Sequence, residues 1–226
     1  MHTTNDAPRI RSARSRGALR LGLAASACVG ALGLAAGAAQ AFAGVAVATD
    51  GAHALANPGH RDVVRVAFDL HQYGEVLAAS ARNQAEAESV ACSAAAPCRS
   101  ISLSFQIVTM AGEHIHLNAV NLSHSENEHC DGCQTLAGAY QFIVSTPGAF
   151  TLSRTAVQQL AHIHDELNAL GASTASVDSI KASADALAAQ VTAILNAAAA
   201  AAPRPVHPLA QPDGAPVTVH RMFDQG

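Results

Sequence analysis

The sequence predicts an α+β domain: an antiparallel sheet of about five strands, made from a duplicated cysteine hairpin and packed by a C-terminal helical hairpin. Three observations predict it. Apolar and polar residues alternate with the period of a strand through much of 62–145. A cysteine-led segment recurs 35 residues further on. Two stretches within 153–196 carry apolar residues at helical spacing.

The N-terminus stands apart from that domain. Arg9, Arg11, Arg14, Arg16 and Arg20 precede an uncharged run over 21–43, which ends in Ala39-Gln40-Ala41 and Ala41-Phe42-Ala43. A basic stretch, an apolar run and small-x-small sites, in that order, form a Sec-type signal peptide over 1–43. The alternative is a membrane anchor by uncleaved residues 19–43, although a run this rich in Ala and Gly is a weak span. Ala25-Ser26-Ala27-Cys28 is an imperfect lipobox, and no Arg-Arg pair points to the twin-arginine route. Cleavage takes five of 13 basic residues and one of 17 acidic ones, leaving 8 against 16 and a formal charge of −8. That balance argues against nucleic acid and against an anionic membrane surface as partners.

Residues 44–60 read as a flexible, Gly- and Ala-rich lead-in to a single domain over 61–196. Val64, Val66, Phe68 and Leu70 share one face of a first strand. Further strands are expected over 83–92, 100–109, 114–122 and 134–145, and Pro147-Gly148 ends the sheet region. In the third, Ile101, Leu103, Phe105 and Ile107 oppose Ser100, Ser102, Ser104 and Gln106, a small face suited to close packing. Ser153 caps a helix with Val157, Leu160, Ile163, Leu167 and Leu170 on one side, ending at Gly171. A second helix carries Val177, Ile180, Ala184, Leu187, Val191 and Ile194. An Ala run and five prolines make 197–226 a disordered tail by composition.

The repeat aligns Ser100 with Thr135, Ile101 with Leu136, Phe105 with Tyr140 and Gln106 with Gln141. Asn83 and Asn118 fall at the same offset. Gln106 and Gln141 are expected to bond neighbouring backbone or each other. Cys130-Asp-Gly-Cys133-Gln-Thr135-Leu-Ala137-Gly-Ala139-Tyr-Gln141, with the strand 64–70, resembles a group of small secreted bacterial proteins that carry two Cys-x-x-Cys-x-Thr-x-Ala-x-Ala-x-Gln-like strands. The resemblance covers about residues 62–170 and implies an architecture and a compartment rather than an activity. Some of that group carry a zinc-protease label. This chain has neither His-Glu-x-x-His nor its inverse, since 124–129 is one residue too long and lies in a polar stretch before a turn.

Four cysteines remain after the signal, and an exported chain sits where thiols oxidise. Cys92–Cys98 and Cys130–Cys133 are the local pairings, and pairing across the repeat stays open. A second chemistry is a zinc or copper site from His114, His116, His129, Cys130 and Cys133. A third is thiol–disulfide exchange at Cys130 and Cys133, which Glu126, Glu128 and Asp131 oppose by raising a thiol's pKa. No Gly-x-Ser-x-Gly elbow or phosphate loop occurs, and no cofactor is implied. The expected role is a non-catalytic exported protein that binds a protein or envelope partner, with metal binding and thiol exchange as alternatives.

Overall fold

The computed structural model describes residues 44–202 and 217–225. The expected signal over 1–43, with Cys28, and most of the expected tail lie outside the described residues. Six strands and two helices follow in order: β1 (Gly44–Ala56), β2 (Asp62–Val90), β3 (Arg99–Ala111), β4 (His116–Glu128), β5 (Gln134–Thr146), α1 (Arg154–Gly171), α2 (Val177–Ala200) and β6 (Val217–Gln225).

The fold is α+β, but the sheet is mixed and mostly parallel, which corrects the antiparallel expectation. Its hydrogen-bonded order is β1-β2-β3-β5-β6, with β4 also on β2. Among the described strands only β5 and β6 run antiparallel. The 29-residue β2 takes part in two ladders. Its first half pairs with β3 from Asp62↔Arg99, and its second half pairs with β1 and β4. Each cysteine turn therefore hands the chain from one ladder to the other instead of closing a hairpin. Neighbours within a ladder are a full circuit apart and must run parallel. Alternation in a sequence shows which face is buried but not which way the neighbour runs.

Two further expectations change. The supposed lead-in is β1, which buries Ala46, Ala48, Ala54 and Ala56. Small residues there read as a loose linker, yet they are what a close sheet-to-sheet contact requires. In the supposed tail, the Ala run completes α2, as Ala has the highest helix propensity. Val217–Gln225 pairs along β5, and Phe223 meets the Tyr140 ring edge-on at 5.2 Å.

One face of the β2-β3-β5 ladder carries the main core. Ile101, Leu103, Phe105, Leu136, Tyr140 and Phe142 pack there against Leu160, Ile163 and Leu167 of α1 and Ile180, Leu187 and Val191 of α2. The helices start at Ser153 and Ser176, whose side chains accept the N–H of Ala156 and Ser179. Burial of a large apolar side chain contributes about 1.5–3 kcal/mol, so this layer holds the helices in place.

The other face meets the β1-β2-β4 ladder across a layer of alanine and serine. Ser100 Oγ donates to Ala54 O at 2.9 Å, and Ser102 Oγ to Ala52 O at 2.8 Å. A hydroxyl one bond from Cβ reaches the opposite backbone only where the ladders sit well inside the usual spacing of about 10 Å. Ala85, Ala87, Ala137 and Ala139, all fully buried, fill the same gap. At the far end the chain turns through Gly112, whose φ of +152° and approach to Val76 O leave no room for a Cβ.

Candidate functional site

The register brings the polar repeat residues together between the ladders. Gln141 Nε2 donates to Gln106 Oε1 at 2.8 Å and to Ala81 O and Val120 O at 3.2 Å. Both expectations for the glutamines hold: they bond each other and backbone. Asn83 Nδ2 donates to Asn121 Oδ1, Ser104 O and Tyr140 O, and its Oδ1 accepts from Ser104 Oγ at 2.6 Å. Phe105 and Tyr140 point the other way and stack in the core at 4.2 Å. Burial, then Asp185, pushes the Tyr140 phenol far above its ordinary range.

Asn118 is exposed, and Asn121 stands opposite Asn83. The reason lies in the turns. After the second cysteine of each turn the register offset is 35, as in Ile101↔Leu136. Before the first cysteine it is 38, as in Asn83↔Asn121, because the Cys92–Cys98 loop is three residues longer than Cys130–Cys133. Counting back from the first cysteine rather than the second leads to Asn121.

At the β1 end the ladder of amides finishes in charges that the sequence reading passed over. Asp50 Oδ2 accepts from Gln106 Nε2 at 2.7 Å and lies 2.7 Å from His71 Nε2. Tyr73 Oη donates to Val47 O, and its ring stacks with His71. The hydrogen bond to Asp50 raises the His71 pKa, against the effect of burial. Burial, then Asp50, pushes the Asp69 carboxyl up. A carboxyl held protonated to higher pH when folded costs stability as pH rises through its folded pKa. Asp69→Asn is therefore expected to match the parent near pH 3 and to melt higher than the parent at neutral pH. Thermal melts across that range check this, and an equal difference at every pH rules it out. Among the described residues, neither Asp50 nor His71 bonds a hydroxyl or thiol nucleophile.

The cysteines form the disulfides Cys92–Cys98 and Cys130–Cys133, with Cα–Cα distances of 5.8 and 5.7 Å. Such bonds persist in an oxidising, extracytoplasmic compartment. The two turns lie side by side, and the Cys98 N–H donates to Cys133 Sγ at 3.2 Å. The His-and-Cys metal set does not assemble. His116 opens β4 and Cys130 follows its end, a separation of about 45 Å at strand rise. His114 lies beyond His116, and His129 is exposed beside Glu128. Among the described residues, sulfurs alone cluster with metal-like spacing.

Among the described residues, the outer face of β1-β2-β4 carries no helix, since α1 and α2 contact β2, β5 and β6. Val45, Val47 and Leu77 are exposed on it at 70%, 62% and 64%. Toward the cysteine turns it becomes acidic, with Glu88 directly across from Glu126 and Val90 from Glu128. A shallow groove lined by Phe150, Gln159, Ile194 and Ala198 contains no titratable side chain. No described helix is long and apolar enough to cross a membrane. Comparison with family models, curated proteins and solved structures returns no match.

Proposed function

We propose that this chain is an exported, non-catalytic binding protein that presents the outer face of β1-β2-β4 to a protein partner. The observation that carries the reading is the row of exposed apolar side chains at Val45, Val47 and Leu77 on a sheet face that neither described helix covers. The acidic end of that face, where Glu88 opposes Glu126, favours a partner whose apolar patch is flanked by basic groups. Like charges in direct register repel, and a cationic partner relieves that repulsion. The basic, apolar and small-residue order of 1–43 supports Sec-type export, and the disulfides suit its destination. The resemblance to secreted proteins with two cysteine-led strands fits the same reading, with a duplicated circuit as the origin of the matched ladders. An excess of acidic over basic residues argues against nucleic acid and anionic lipid as partners.

A photo-crosslinking residue at Leu122, in the secreted protein in its producing culture, is expected to yield a discrete adduct. The same residue at Gln158, exposed on α1, is expected to yield none. Val47→Asp should weaken adduct formation at Leu122 by roughly tenfold without lowering Tm. An adduct insensitive to Val47→Asp, or equally strong from Gln158, rules the face out.

A further inference from the structure

The stacked turns place more sulfur in one spot than two staples need. The Sγ atoms of Cys92, Cys130 and Cys133 lie within 4.8 Å of one another. Cys98 is bonded to Cys92, and its backbone N–H points at Cys133 Sγ. The ladders hold this arrangement from both sides, because Ala91 N–H bonds Glu128 O and Gln134 N–H bonds Cys98 O. A tetrahedral zinc tetrathiolate has Zn–S bonds of about 2.3 Å, hence sulfurs about 3.8 Å apart. Three of the four sulfurs thus already sit near the spacing that thiolates around one ion require, and the fourth, Cys98 Sγ, is released from Cys92 when that disulfide is reduced.

We propose that the four cysteines, once a dithiol has reduced both disulfides, form a tetrathiolate site for a single zinc ion. Each disulfide takes two electrons and two protons from one dithiol, which leaves as its cyclic disulfide. Zinc then displaces the four thiol protons and binds four thiolates. The carboxylates at Glu128 and Asp131 oppose a free thiolate, which disfavours thiol exchange, whereas direct bonding to zinc deprotonates a coordinating thiol outright. The Cys98 N–H to Cys133 Sγ bond is the kind of outer contact that steadies a thiolate ligand. The site differs in ligands from one built on histidines, and it stands independently of the partner-binding face. In the oxidised state each turn is closed on itself, and in the reduced state the ion would tie the two turns to each other.

The test uses the purified secreted protein, reduced with dithiothreitol and desalted under argon, with cobalt(II) as the spectroscopic probe and zinc as competitor. The expected result is one cobalt per chain, with the intense d–d and sulfur charge-transfer bands of a tetrahedral thiolate site, displaced by one equivalent of zinc. The oxidised protein should take up none. Cys92→Ser should lower zinc affinity at least ~100-fold, whereas His116→Ala and His129→Ala should leave it unchanged. Absence of the bands in the reduced protein overturns the proposal, as does full affinity in Cys92→Ser or loss of affinity in His129→Ala. If reduction alone abolishes the strand circular-dichroism signal, its recovery with one equivalent of zinc supports the site. Failure to recover overturns it.

Discussion

Asn83→Ala is expected to destabilise the protein by about 3–4 kcal/mol, lowering Tm by roughly 6–16 °C. The side chain is fully buried and makes four hydrogen bonds at the centre of the molecule, three as donor and one as acceptor. Alanine leaves Ser104 Oγ and Asn121 Oδ1 without their partner in a gap that shuts out bulk water. Each orphaned buried polar atom costs about 1–3 kcal/mol, more than the bond itself contributed. Asn118→Ala supplies the contrast. It is exposed on the outer face and should change stability by less than about 0.5 kcal/mol. Chemical denaturation of the two variants decides the matter, and equal losses would mean that the amide network does not hold the ladders together.

Ala139→Leu is expected to be the more damaging change, costing at least about 3 kcal/mol or preventing folding. Ala139 shares the inter-ladder layer with Ala85, Ala87 and Ala137, none of them exposed to solvent. Three added carbons have no space unless the ladders part. Parting them would stretch the Asn121 Nδ2 to Ala139 O bond, now 2.9 Å, and the serine bonds to β1. The same substitution at Ala78, on the opposite face of β2, should be tolerated within about 0.5 kcal/mol. Secreted yield and denaturant midpoints of the two variants test this, and comparable tolerance at both sites would show the gap to be slack.

Much of the local structure was legible. Ser153 begins α1 because a hydroxyl followed by helical apolar spacing satisfies the free N–H groups of a first turn, and Ser176, which the sequence reading did not name, does the same for α2. Ile101 and Phe105 face the helices while Ser100 and Ser102 face the other ladder, as alternation alone required. Legibility failed where a residue's role depends on a partner a full circuit away. Asp50, Asp69 and His71 are ordinary polar residues along the chain, and they become one group only when β1 is laid against β2. Asn118 matched by counting from the second cysteine, yet the longer first loop gives its role to Asn121.

By itself, the sequence determined which side chains of β3, α1 and α2 form the apolar faces, where α1 begins, and that two cysteine-led strands align at a spacing of 35 residues. Those are properties of period and composition, which need only neighbours along the chain. The tertiary structure alone decided that the strands run parallel, that the Gly/Ala lead-in is a strand, and that the cysteine turns stack. Each of those depends on winding the chain back onto itself, where alanine permits close approach and amides fill the gap.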